Sequence, residues 1–230
     1  SSGHAEFARG HREAGGGDPR QTRHPAGGCG GTHGRNQRSG RREGEQEGTR
    51  PGQAREPVVK LYVLRHGPAV DDAPSGRDED RALTREGRTR VHRVAEVLTR
   101  EGEVPEALVT SPLVRALQTA EIVAAHGDLD DRGGLVEVRR ELAPGGGHVQ
   151  LVRELRARGL RSAMVVGHEP DLSSLVAQLL GKAMPVAMAK GMVVGLTLTS
   201  ADPLRATLRF ILDPKSLVWE HDARDSSSSS

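Results

Sequence analysis

The 230-residue chain has one cysteine, Cys29, and four aromatic residues. A lone cysteine excludes a disulfide framework and a metal site built from several cysteines. No apolar stretch approaches the roughly 18 residues that a membrane-spanning helix needs. The N-terminal region also lacks the uninterrupted apolar segment of a secretory signal. We therefore expect a cytoplasmic protein without a membrane partner.

Nucleotide-binding motifs are missing as well, since the chain contains neither GxxxxGK[ST] nor GxGxxG. The stretch "GHEP" begins like a helical zinc motif, but Pro170 follows and no second histidine lies four residues after His168. We therefore expect that the protein requires no metal and no cofactor.

The composition divides the chain into parts. Residues 1–55 contain 14 of the 29 glycines and ten arginines, with almost no bulky apolar residue. Such a segment buries too little apolar surface to offset the entropy of ordering it. We predict a disordered Gly/Arg-rich tail over 1–55, one folded domain over 56–220, and a disordered C-terminal tail over 221–230.

The charge of the chain argues against nucleic acid as a partner. The tail has ten basic and six acidic residues, whereas the remainder has 23 basic and 25 acidic residues. The pI of about 9.0 therefore largely reflects the tail, and the net charge of the folded part gives no electrostatic case for nucleic acid binding. RNA binding by the tail is a less favoured alternative, because Phe7 is its one aromatic residue for base stacking.

Hydrophobic patterning predicts alternating strands and helices. Strands are predicted at 58–64, 106–110, 135–138, 162–166, 192–199 and 204–212, and helices after Thr84, after Ser111, at 149–158 and after Pro170. This order predicts an α/β fold, a three-layer α/β/α sandwich with a mostly parallel sheet closed by a C-terminal antiparallel hairpin.

Two patterns specify which side chains face the core. Alternation in the last strand predicts one shared apolar face, made of Leu204, Ala206, Leu208, Phe210 and Leu212. Helical spacing after Ser111 predicts a buried stripe, made of Leu113, Leu117, Ala120 and Ala124.

Three predicted strands lead directly into residues that carry chemistry. The first ends on Arg65-His66-Gly67, the second leads into a helix whose first turn contains Arg115, and the fourth ends on Gly167-His168. Ligands of open α/β sheets bind at the carboxyl ends of the strands. The three junctions together therefore predict one site.

These residue types fit a phosphoryl group. Arg65 and Arg115 can hold its oxygens through forked hydrogen bonds, and Gly67 allows close approach of the backbone. A neutral histidine is a competent nucleophile toward phosphorus. The other histidine can stabilise charge in the transition state.

The stretches "LYVLRHG", "SPLVRALQTAEIV" and "VVGHEP" resemble, in order and spacing, the histidine phosphatase superfamily, which includes the cofactor-dependent phosphoglycerate mutases. Segments at 80–88, 141–146 and 189–198 are similar to its short bacterial phosphohistidine phosphatases. The resemblance implies that His66 is the phosphorylated nucleophile. It also implies that Arg65, Arg115 and His168 complete the phosphate pocket and take part in catalysis. Gly67 joins these three as a substrate-binding residue because of its backbone.

The sequence departs from the superfamily at the general acid, a carboxylate shortly after the third strand. The stretch "RRELAPGGG" has Pro144 near that position, so Glu141 is the nearest candidate and Asp72 a second one. General acid catalysis is typically worth 10² to 10⁴-fold, so its absence favours a leaving group that departs easily, such as the imidazole of phosphohistidine.

The resulting hypothesis is a metal-independent phosphatase that hydrolyses phosphohistidine in a phosphotransfer protein through a phosphohistidine enzyme intermediate. One alternative is a small-molecule phosphomonoesterase of the same superfamily, acting on a small phosphoester. The other is a catalytically inactive phosphate-binding module.

Overall fold

The computed structural model describes residues 59–184 and 187–221. The predicted tail 1–55 lies outside these ranges, as do residues 222–230 of the predicted tail 221–230 and residues 56–58, 185 and 186 of the predicted domain. His221, the first residue of the predicted C-terminal tail, ends a strand. The described residues form strands β1 (Val59–Arg65), β2 (Ala107–Thr110), β3 (Leu135–Val138), β4 (Ser162–Gly167), β5 (Val193–Ala201), β6 (Leu204–Leu212) and β7 (Trp219–His221), with helices α1 (Arg85–Arg100), α2 (Val114–His126), α3 (His148–Ala157) and α4 (Asp171–Leu180).

All seven strands form one sheet in the order β3-β2-β4-β1-β5-β6-β7. The strands β3, β2, β4 and β1 are parallel, and β5, β6 and β7 continue the sheet antiparallel. One hydrophobic core lies between the sheet and helices α1 and α2, and a second lies between the sheet and helices α3 and α4. The predicted three-layer architecture is confirmed, with β7 as an additional strand.

No helix in the described ranges combines the length and the apolar character that crossing a membrane requires.

The predicted burial of α2 is only partly correct. Ala120 is buried, but Leu113, Leu117 and Ala124 are half-buried. The fully buried positions of α2 are Arg115, Ala116, Thr119, Ala120, Ile122 and Val123. Polar residues occupy part of the inward face of this helix, and hydrophobic spacing assigns such residues to solvent.

The prediction of one apolar face along β6 is wrong, because the strand contains a β-bulge. Leu208 pairs with Leu196 and Phe210 pairs with Gly195, so Arg209 is an extra residue on its strand. The bulge exchanges the two faces of the strand. As a result Leu204, Ala206 and Leu208 pack in the core of α3 and α4, whereas Phe210 and Leu212 pack in the core of α1 and α2.

The bulge residue Arg209 belongs to a buried ionic cluster around Glu103. Glu103 accepts hydrogen bonds from Arg209 Nη1 at 3.0 Å, from Tyr62 Oη at 2.5 Å and from Lys60 Nζ at 3.2 Å. Burial alone would raise the pKa of Glu103, but the hydrogen bonds from Arg209 and Tyr62 outweigh it and lower the pKa to about 2. This carboxylate therefore connects the loop after α1 to strands β1 and β6.

We expect Glu103→Gln to lower the free energy of unfolding at pH 7 by about 2–4 kcal/mol, because Arg209 loses its buried countercharge. Because the pKa is lowered on folding, the contribution of Glu103 is complete above the carboxyl's unfolded pKa and is lost as the pH falls toward 2. Urea denaturation at pH 7 and pH 3 measures both effects. Glu101→Gln, which removes an exposed ion pair to Arg100, is the control. Equal costs for the two variants would contradict this assignment.

Candidate active site

The site lies at the carboxyl ends of the adjacent parallel strands β2, β4 and β1. Arg65 and Gly167 are partners in the register of β1 and β4, and the His66 amide donates to the Gly167 carbonyl at 3.1 Å. The Ser111 amide donates to the Val166 carbonyl at 3.0 Å, which fixes the turn from β2 into α2. The strand register therefore brings the three junctions to one edge of the sheet.

The imidazole of His66 is buried and its ring centroid lies 5.0 Å from that of His168. His66 Nδ1 lies 2.7 Å from the Gly67 carbonyl oxygen. A carbonyl only accepts hydrogen bonds, so Nδ1 carries the proton and donates it. Nε2 has no hydrogen-bond partner in the described ranges, and this atom is not fully buried. The neutral ring therefore presents an unshared lone pair at Nε2.

Both histidines of the site are held neutral. Burial, with smaller contributions from the nearby His168, Arg115 and Arg65, lowers the pKa of His66 to about 3 against the opposing hydrogen bond to Gly67. Burial and then the charge of Arg115 lower the pKa of His168 to about 4. Desolvation and neighbouring cations both disfavour the imidazolium.

His168 is fixed by Ser111, the residue that directly follows β2. His168 Nε2 and Ser111 Oγ lie 2.8 Å apart, and both residues are buried. His168 Nδ1 is buried without a hydrogen-bond partner among the described residues. Arg65 is similar, since its Nη1 donates to the Met188 carbonyl at 2.6 Å and its Nε is buried and unpartnered. Ser111 Oγ accepts from the Leu113 amide at 3.3 Å, which leaves its own proton for His168 Nε2 and puts the ring proton of His168 on Nδ1. Unsatisfied buried donors are costly and rare, and an oxyanion would satisfy both Nδ1–H and the Arg65 Nε–H.

Gly67 is required for packing. A Cβ atom at this position would lie 2.6 Å from Val91 Cγ2 and 3.3 Å from the Gly87 carbonyl oxygen. The glycine therefore allows the loop after β1 to lie against α1, which fixes the carbonyl that orients His66. This packing role is separate from the predicted close approach of a phosphate to the Gly67 backbone, which stays a prediction.

Arg115 is buried in the first turn of α2. It is held by Asp78, which the sequence did not single out. Arg115 Nη1 donates to the Asp78 carbonyl at 2.8 Å, and Nη2 donates to Asp78 Oδ2 at 2.9 Å. Asp78 begins a short 3-10 helix, Asp78–Asp80, in the loop between β1 and α1. Hydrogen bonds from Arg81 and then Arg115 lower the pKa of Asp78. The carboxylate beside the site is therefore ionised at neutral pH.

Thr119 is a second residue that the sequence analysis missed. Its hydroxyl accepts a hydrogen bond from the Gly67 amide at 3.1 Å and donates to the Arg115 carbonyl at 2.7 Å. Its side chain is completely buried. The available signal was its spacing, because residues four apart lie on the same face of a helix and Arg115 was already assigned to the site.

The two candidate general acids lie in other surroundings. Glu141 is bound by Arg139 Nη2 at 2.6 Å, and this hydrogen bond lowers its pKa. Asp72 is exposed. Neither has a hydrogen bond to a residue of the site within the described ranges. Their surroundings therefore do not favour a proton-donating role for either residue.

The arrangement combines two guanidiniums with a neutral imidazole whose Nε2 is unpaired. Such a site attracts an anion and can attack an electrophilic centre within it. In the part of the chain that the structure describes, no three His, Cys, Asp or Glu side chains are grouped so that they could hold a metal ion.

Comparison with known proteins identifies relatives of this chain in sequence and in fold. The profile of the histidine phosphatase superfamily (branch 1) matches residues 61–142. Phosphohistidine phosphatase SixA of Escherichia coli (strain K12) is 33% identical over 144 residues, which are 61% of this chain and 86% of that protein. An uncharacterized protein of the cyanobacterium Picosynechococcus is 40% identical over 117 residues, which are 50% of this chain and 68% of that protein.

A solved structure of the protein histidine phosphatase SixA complexed with tungstate has the same fold. Its TM-score to this chain is 0.60 at 28% sequence identity, with 69% of this chain and 99% of that chain covered.

The lowered pKa values predict that neither His66 nor His168 gains a proton between pH 5 and pH 8, because both folded-state values lie below that window. NMR titration of the imidazole carbon-bound protons measures this directly, with His66→Ala and His168→Ala providing the assignments. Flat shifts for both residues are expected. A midpoint for His66 near its usual value of about 6.5 would contradict the proposed desolvation of the ring.

Proposed function

Because the chain belongs to the histidine phosphatase superfamily and is a phosphatase, we propose that it hydrolyses phosphohistidine in a phosphotransfer protein through a phosphoenzyme formed on His66. The observation that carries this proposal is the orientation of His66, whose Nδ1–H is bound to Gly67 and whose Nε2 is unpaired. We assign the catalytic domain to residues 56–220.

The proposed reaction has two steps. In the first, His66 Nε2 attacks phosphorus and the P–N bond of the substrate breaks. The substrate histidine, already protonated on its other ring nitrogen, takes the bonding electron pair and departs as neutral imidazole. In the second, a water molecule attacks the phosphoryl group on Nε2, and the bonding pair returns to Nε2. Orthophosphate leaves with both water protons, which restores neutral His66 with its proton on Nδ1. Arg65, Arg115 and the Nδ1 atom of His168 bind the phosphoryl oxygens, whose negative charge is the main target for stabilisation.

The surroundings of the carboxylates support phosphohistidine as the substrate. Asp78, the carboxylate that contacts Arg115, has a lowered pKa and therefore has no proton to give at neutral pH. The carboxylate of Glu141 is paired with Arg139. An alkoxide leaving group needs a proton donor. The ring of a phosphohistidine that is already protonated on its other nitrogen departs without one. The name of the Escherichia coli relative, a phosphohistidine phosphatase, is consistent with this substrate.

A small-molecule phosphomonoesterase is the second candidate. The observation in its favour is that a carboxylate, Asp78, does lie beside Arg115. If Asp78 became protonated on substrate binding, it would serve as the general acid. The surroundings of Glu141 and Asp72 do not favour that role for either residue.

The discriminating experiment offers two substrates to the purified protein in the presence of EDTA. One is a phosphotransfer protein phosphorylated on histidine, and the other is glucose 6-phosphate. We expect kcat/KM for phosphohistidine to exceed kcat/KM for the sugar phosphate by about 10² to 10⁴-fold, which is the usual contribution of a general acid. Phosphate release measures both rates.

We expect His66→Ala to lower the phosphohistidine rate on the order of 10³-fold or more. His92→Ala is the matched control, since His92 is an exposed histidine of α1 whose ring contacts His126. Equal turnover of the two substrates would favour the phosphomonoesterase. Inactivity of the wild-type protein on phosphohistidine would contradict the proposed substrate.

A further inference from the structure

The peptide that joins His66 to Gly67 is hydrogen-bonded at both ends by other parts of the chain. Its N–H, on Gly67, donates to the Thr119 hydroxyl at 3.1 Å. Its carbonyl, on His66, accepts from the Gly191 amide at 3.1 Å. Because this peptide is the backbone from which the His66 side chain extends, its orientation fixes where the imidazole can lie.

Thr119 lies on α2, the helix that also carries Arg115. Its hydroxyl donates to the backbone carbonyl of Arg115 at 2.7 Å, one turn earlier in the same helix. A hydroxyl has one proton to donate and two lone pairs to accept with. Its proton is used toward Arg115, so it can meet the Gly67 amide only as an acceptor. The two hydrogen bonds are therefore compatible, and each has a fixed direction.

We propose that Thr119 is a positioning residue that ties the nucleophile His66 to α2, the helix that carries Arg115. Its hydroxyl accepts from the Gly67 amide and is itself oriented by donating to the backbone carbonyl of Arg115. The inference rests on the proposed role of His66 as nucleophile. Thr119 itself does not reach the phosphoryl group. It acts on the Gly67 peptide, and Gly67 in turn provides the carbonyl that receives the Nδ1 proton of His66 at 2.7 Å.

The position of Thr119 makes it difficult to replace. Thr119 is completely buried, so no water substitutes for a missing hydroxyl without opening the core. Valine has nearly the same shape but would leave the Gly67 amide without its acceptor. The backbone would then shift to find another partner, and the direction of the His66 ring would change with it.

The test compares Thr119→Val with Thr119→Ser, which keeps the hydroxyl and loses the methyl group. We expect Thr119→Val to lower kcat about 10- to 100-fold with little change in KM, because small displacements of a reacting group have effects of this size. We expect Thr119→Ser to restore most of kcat. Urea denaturation establishes that each variant is folded at the assay temperature.

A second readout separates positioning from general loss of stability. Long-range ¹H–¹⁵N spectra of the imidazoles show which ring nitrogen carries the proton. For His66 we expect the Nδ1–H tautomer alone in the wild type and in Thr119→Ser, and a mixture of tautomers in Thr119→Val. Thr99→Val is the matched control, since Thr99 also donates to the carbonyl four residues earlier, at 3.0 Å, but in α1 and away from the site.

Wild-type kcat in folded Thr119→Val would overturn the proposal, and so would equal losses in the valine and serine variants. If His66→Ala were fully active, the proposed nucleophile would be wrong. The tautomer spectra would in that case still report whether Thr119 orients the ring, so the two failures are distinguishable.

Discussion

The chemistry of this site depends on one hydrogen bond, from His66 Nδ1 to the Gly67 carbonyl, inside a buried pocket with two guanidiniums. The hydrogen bond places the ring proton on Nδ1, and burial together with the nearby cations keeps a second proton off Nε2. In the proposed reaction, losing the first effect would put the lone pair on Nδ1 instead of Nε2, and losing the second would protonate Nε2. A protonated Nε2 has no lone pair with which to attack phosphorus.

The rest of the fold maintains this hydrogen bond. The parallel register of β1 and β4 holds the His66 amide on the Gly167 carbonyl, and α1 packs so closely on Gly67 that only glycine fits. From the other side, α2 supplies Arg115 and the Thr119 hydroxyl. The site therefore depends on contacts between elements that are far apart in sequence, and a rigid three-layer sandwich provides them.

The sequence predicted most of the framework, because its strands and helices have clear hydrophobic periods and the strands lead into unusual polar residues. It predicted that His66, Arg115 and His168 would lie at one edge of the sheet, since parallel strands end together. It did not predict the inward side of α2, where Arg115 and Thr119 are buried polar residues that periodicity assigns to solvent. It also missed the bulge at Arg209, because one extra residue exchanges the faces of a strand without changing its composition. Asp78 was missed because its contact with Arg115 joins positions 37 residues apart.

The most direct test of the central claim is to trap the phosphoenzyme and identify the phosphorylated atom. The protein would be mixed with a histidine-phosphorylated phosphotransfer protein carrying ³²P, stopped within milliseconds in alkali, which preserves phosphohistidine, and digested for peptide mapping. The account predicts label on His66, attached at Nε2. Label on another residue, attachment at Nδ1, or phosphate release at full rate from a chain that never becomes labelled would contradict it.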